Sequence, residues 1–152
     1  MFRIAEKVAM GTVEYPRKIL SACAVPVGKC SLRAGTRAIL IKKRHLLKIF
    51  YYGKIWELRR AKISTILKKR VGLVEIGAGG LVVGEATVDE CLPLTEEIFR
   101  RNGHLHLHSG RHDDYNVVWV LKDVVRYDKR WVYDHLQGSQ TPSFLYNLHD
   151  QS

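Results

Sequence analysis

Cysteine, proline and long apolar runs are scarce in this sequence, and each scarcity excludes something. Cys23, Cys30 and Cys91 are the only cysteines among 152 residues. An odd, widely spaced set with no Cys-x-x-Cys pair is not a disulfide framework, and it fits a reducing, cytoplasmic compartment. Cys91, beside Leu92, reads as a small buried hydrophobe. Four prolines and twelve glycines without a period exclude a collagen-like or low-complexity chain. No apolar stretch approaches the roughly 20 residues that cross a bilayer, so no membrane association is expected. Internal repeats are absent as well.

Acidic residues are nearly missing from one third of the chain. Residues 29–70 hold fourteen Lys/Arg against the single acid Glu57. Residues 71–152 hold seven Lys/Arg against twelve acids, and the formal net charge of the whole is +10. The basic excess is therefore concentrated in one segment, which is the electrostatic footprint of a polyanion-binding surface. A merely solvated basic face is the plainer alternative.

What is present suffices for one folded domain. Apolar residues make up 46% of the chain, enough to fill a core. Met1–Gly28 carries Arg3, Lys7, Arg17 and Lys18 but also Glu6 and Glu14, and its apolar stretch Ile19–Val27 is short. A secretory signal or transit peptide is not favoured by that pattern. The reading is an N-terminal extension over 1–31, a domain over 32–141 and a tail over 142–152.

Arg37–Lys42 reads as a short buried strand. Lys43–Tyr52 follows as a helix with Leu46, Ile49 and Phe50 on one face, stopped by Gly53. Lys54–Arg59 resumes as a strand, while Ala61–Arg70 fits either a turn of helix or a basic loop. Val71–Ile76 and Leu81–Val88 form a hairpin across Gly77–Gly80. A phosphate loop at these glycines is excluded, since no Lys-Ser/Thr pair follows. Thr95–Asn102 reads as a short helix with Thr95 as its cap and Gly103 as its end. Asn116–Leu121 is the most β-like run, and Val124–Tyr127 and Trp131–Tyr133 are weaker strands. The residues from Gly138 onward read as irregular. The pattern predicts an α+β fold, a small mixed β-barrel of about six strands with two or three short helices.

The segment Tyr52-Gly53-Lys54-Ile55-Trp56-Glu57-Leu58-Arg59-Arg60 resembles the hallmark of ASCH domains, with Lys54, Glu57 and Arg59 at the family's spacing. Gly53 directly precedes Lys54, where the family usually has one residue between them. Ile41–Ile49, Leu81–Ala86, Tyr115–Leu121 and Gly138–Thr141 resemble further family segments in order. Pro142 stands where a tryptophan-bearing final strand would follow, and proline cannot donate to a ladder. The resemblance implies a PUA-like barrel with a cleft beside the Lys-Glu-Arg motif.

It also implies binding of RNA or a modified nucleoside. Arg59 is a planar donor suited to phosphate or carbonyl oxygens. Glu57 would accept protons from a base edge, and Lys54, among like charges, would favour its neutral form. Arg60, His45 and Glu85 complete the candidate ligand-binding set. Glu57 paired with Lys54 or Arg59 as a purely structural ion pair is the alternative. Trp56 and Trp119, flanked by aliphatics, read as core more than as stacking platforms.

An enzyme is the second reading. Some small ASCH proteins resemble amidohydrolases that deacetylate an acetylated cytidine, and ribonuclease activity is associated with the family. Lys54 would then activate water, Glu57 would share its proton and Arg59 would steady the oxyanion. Those hydrolases carry a hydroxyl residue at the place of Glu57, and a further carboxylate would have to come from Glu85 or from Glu96 and Glu97. A protein-interaction domain in a transcription or translation assembly is the third reading. His104, His106 and His108 alternate with leucines and would share a face on a strand, but three such ligands do not converge on one ion, so no metal and no cofactor is expected.

Overall fold

The computed structural model describes residues 24–62, 64–77, 81–134, 143–144 and 146–150. Cys23, most of the 1–31 extension, Ala78–Gly80 and the segment Gly138–Pro142 lie outside the described residues. The described elements run in this order: β1 (Val27–Gly28), β2 (Arg37–Ile41), α1 (Lys43–Tyr51), β3 (Trp56–Arg59), β4 (Arg70–Glu75), β5 (Leu81–Pro93), α2 (Glu96–Arg101), α3 (Gly103–His106), a 3-10 turn at His112–Asp114, β6 (Val117–Asp134), β7 (Ser143–Phe144) and β8 (Tyr146–Asp150).

The strands form one mixed sheet ordered β1-β6-β5-β4-β2-β7, with β3 and β8 also paired to β6. β4–β5 and β5–β6 are antiparallel, whereas β2 runs parallel to β4. The fold is therefore α+β, as the pattern predicts, with eight described strands where about six are expected. Two of the additional ones follow Pro142. Ser143–Phe144 pairs with β2 and Tyr146–Asp150 with β6, where the sequence reads as irregular. Among the described residues no helix is long and apolar enough to cross a membrane.

α1 forms where the apolar period says it should. Leu46, Ile49 and Phe50 are buried on one face, joined by His45. Tyr52 closes it, its N–H donating to the Lys48 carbonyl, and Gly53 turns the chain at φ 78. That left-handed turn is costly for any residue with a Cβ, and it is what reverses the chain from α1 into β3. A second glycine is required by packing. A Cβ on Gly84 would lie 2.5 Å from the Val125 carbonyl oxygen and 2.9 Å from the Phe50 ring. Its bareness lets β5, β6 and α1 close on one another.

Two segments depart from the local pattern. The stretches 116–121, 124–127 and 131–133, which read as three strands, are one 18-residue strand. At Lys122 and Asp123, which separate two of those stretches, Asp123 takes φ 52 and the register against β5 shifts nearby. The ladder thus absorbs the polar pair as a bend. His104–His106, read as a strand or loop, is the helix α3. Gly103 begins that helix, where it is expected only to end α2. Leu105 packs against the Trp56–Leu58–Val118 cluster, and that burial overrides the alternating pattern. Thr95 does cap α2, its hydroxyl accepting from the Ile98 N–H at 3.2 Å.

Candidate functional site

β3 leaves the Gly53 turn and lies antiparallel to β6, with Glu57 opposite Trp119. Its sequence neighbours then diverge. Trp56, Leu58 and Trp119 are buried in the core, in line with the aliphatic flanks of both tryptophans. Glu57 points to the floor of a cleft of about 320 Å³ walled by the first turn of α1, by Arg59 and Arg60, and by His108 and Tyr115.

The carboxylate is held from two sides. Arg59 Nη2 donates to Glu57 Oε2 at 2.8 Å and to the Leu40 carbonyl at 2.7 Å, and its guanidinium lies over the Trp119 ring at 5.1 Å. Lys54 Nζ lies 3.6 Å from Glu57 Oε1 on the other side. Lys54 is fully buried, at 0% exposure, and donates to the carbonyls of Trp56 and His106 at 2.5 and 2.7 Å. It stands behind Glu57 and does not line the cleft. Burial pulls its pKa down to about 8; Glu57 opposes that shift and Lys48 adds to it. The depressed pKa expected from like charges is thus present, but desolvation is its main cause.

The wall opposite Arg59 is imidazole. His45 and His108 stack with ring centroids 4.4 Å apart, and the edge of Tyr115 meets His108 at 5.1 Å. Burial lowers the His45 pKa to about 4, Glu57 opposing it, and burial lowers His108 as well, followed by Lys54. Both rings are neutral at pH 7. His106, beneath them, has a fixed tautomer. Its Nδ1 accepts from the His108 N–H at 2.9 Å, so Nε2 bears the proton and donates to the Phe99 carbonyl at 2.7 Å.

His45 Nδ1 and His108 Nε2 are buried without a hydrogen-bond partner among the described residues, whereas Glu57 Oε1 keeps Lys54 Nζ as its ion-pair partner at 3.6 Å. A buried polar atom left unpaired costs about 1–3 kcal/mol. Two of them beside a carboxylate in one cleft make a surface that gains from a polar ligand. Lys42, Arg44, Arg59 and Arg60 add positive charge to the lining.

The imidazole wall carries a pH prediction. A histidine kept neutral by folding, with its pKa moved from 6.5 to about 4, stabilises the fold fully above pH 6.5. That stability is lost as pH falls from 6.5 toward 4, because the unfolded chain binds the proton first. The slope per histidine is at most about 1.4 kcal/mol per pH unit. Urea unfolding between pH 7 and 4.5 should therefore show a fall in stability that His45→Asn flattens. An unchanged slope in that variant would mean that His45 is not the buried neutral group.

The candidate residues divide into those brought together and those held apart. His45, Glu57, Arg59 and Arg60 line one cleft, with Arg60 exposed and its Nε donating to the Asp114 carbonyl at 3.0 Å. Lys54 touches the cleft only through Glu57. Glu85 is in a separate buried cluster, where it accepts from the Ser31 N–H, Arg70 and Tyr127. Glu96 and Glu97 lie in the first turn of α2 and are not part of the cleft lining. Among the described residues no group of three His, Cys, Asp or Glu could hold a metal ion. The sequence reading left Lys42, Arg44 and Tyr115 out of the site. The two cations carry a signal, being at the strand-to-helix junction beside His45, whereas Tyr115 arrives from almost sixty residues away and carries none. In comparison with known proteins, no family model matches this sequence and the curated proteins give no match.

Proposed function

We propose that this protein is an ASCH-like binding module that takes a base of single-stranded RNA, or a modified nucleoside, into the Glu57 cleft. The observation that carries the reading is the pair of unpartnered buried imidazole nitrogens, His45 Nδ1 and His108 Nε2, set beside the Glu57 carboxylate beneath a cationic rim. A carboxylate accepts from an exocyclic amino group, neutral imidazoles pair with ring nitrogens or carbonyls, and the rim meets phosphate. The Lys54-Glu57-Arg59 spacing is the feature that resembles an ASCH domain. A PUA-like barrel is supported by the last segment, whose 143–144 stretch pairs with β2 while 146–150 pairs with β6, spanning the two sides of the sheet.

The hydrolase reading has less support. Lys54, its intended base, is behind the carboxylate and donates to two carbonyls, and Glu85 is in another cluster.

A salt series of binding to a short mixed-sequence RNA tests the proposal, with wild type, Arg44→Ala and Glu57→Gln. Binding should weaken with salt, with a log–log slope of about −0.7 per phosphate contact, and Arg44→Ala should make that slope shallower by about one contact. Glu57→Gln should weaken RNAs that offer an amino-bearing base and leave the salt slope unchanged. Absence of binding by the wild type at low salt would sink the reading.

A further inference from the structure

The basic segment is larger than the Glu57 cleft needs. Lys43 does not line that cleft but lines a second groove along the adjacent face of α1, with Tyr51, Glu75, Arg126 and Arg130. This groove measures about 130 Å³. Arg126 lies over the Tyr51 ring at 5.3 Å, and Lys43 and Arg130 are exposed. Three cations against the single acid Glu75, beside an aromatic ring, are the elements of a single-strand track.

The amino-terminal turn of α1 stands between the two recesses. Arg44 and His45 line the cleft, and Lys43 lines the groove. Lys42 is extended at the N-cap, with no side chain capping the helix and no acid in the first turn. Cations at that end oppose the helix dipole, so the sequence places them where they do not help α1 itself. The dipole and the flanking cations together favour an anion there. A second observation points to a ligand at the same turn. His45, only 9% exposed, presents an unpartnered Nδ1 there and lines the cleft.

We infer that a single-stranded RNA bound in the Glu57 cleft continues across the first turn of α1 into the Tyr51–Arg130 groove, with a backbone phosphate seated at the turn. The inference rests on the RNA-binding reading and extends it from one nucleotide to a path for a strand. Lys43, Arg126 and Arg130 then contact phosphates beyond the first.

The test uses the full chain and a Lys43→Glu/Arg130→Glu double variant, both substitutions being on exposed side chains. Binding of a 5′-mononucleotide is measured by calorimetry and of a labelled RNA hexanucleotide by fluorescence anisotropy, each across a salt series. The double variant should bind the mononucleotide within about twofold of wild type. It should lose about tenfold or more for the hexanucleotide, with the salt slope shallower by about 1.4, as for two lost phosphate contacts. Unchanged hexanucleotide affinity and slope, with the mononucleotide still bound, would overturn the path and leave the cleft standing. Equal affinity for duplex RNA would overturn the single-strand assignment. Failure of every nucleic acid to bind wild type would remove the cleft reading and the path together.

Discussion

Lys54→Ala is expected to destabilise the protein by about 3–5 kcal/mol, the range for removing one partner of a buried ion pair. A lysine that served only catalysis or binding could be truncated with the fold intact. The burial of Lys54 decides otherwise. The ammonium has 0% exposure and ties the start of β3 to the α3 segment through the Trp56 and His106 carbonyls. Alanine leaves both carbonyls unpaired, leaves Glu57 with Arg59 as its remaining charged partner, and opens a void where the four-carbon stem lay. Urea unfolding at pH 7 measures the loss. Lys54→Met, which fills the space without donating, should recover part of it. A loss below about 1 kcal/mol in the alanine variant would mean that Lys54 faces solvent, because exposed ion pairs contribute no more than that.

Glu85→Ala should be of similar size, about 3–5 kcal/mol, for the same reason. Four donors converge on this carboxylate: the Ser31 N–H at 2.8 Å, the Ser31 hydroxyl, Arg70 and the Tyr127 hydroxyl at 2.8 Å. Burial pushes the Glu85 pKa up, but the Ser31, Arg70 and Tyr127 hydrogen bonds outweigh it and hold the group below its ordinary 4.5. A carboxyl depressed in the folded state contributes stability that is present above pH 4.5 and lost as pH falls through the lower folded value. The wild type should lose this contribution in that acid range, and Glu85→Ala should not. Because Ser31 bridges the N-terminal approach to the sheet, the variant should also lose hydrogen-exchange protection around Ser31 first. On the proposed RNA-binding reading, the folded variant should bind the short RNA as wild type does, since Glu85 does not line the cleft. A selective loss of RNA affinity with stability unchanged would return Glu85 to the ligand site.

The contrast between Lys54 and Glu57 shows how far spacing carries. On a continuous strand 54–59, Lys54 and Glu57 would point to opposite faces. The strand starts only at Trp56, and Lys54 belongs to the turn after Gly53, which brings Nζ to 3.6 Å from Glu57 Oε1. Glu57 and Arg59 do obey the alternation, and they meet at 2.8 Å.

By itself, the sequence determined the elements whose signals are local. These are the β2 strand, the buried face of α1, the glycine turn at 53, the Thr95 cap, and a basic segment holding one acid. Period, capping and charge act over a few residues, so they can be read without a partner. Only the tertiary structure decided which charged groups face the cleft. The antiparallel register that sets Glu57 against Trp119, and the α3 helix that carries the chain to His108 beside His45, join residues about sixty positions apart. It also decided that Glu85 belongs with Ser31, Arg70 and Tyr127. Such juxtapositions follow from strand pairing and burial across the whole core, which no local pattern encodes.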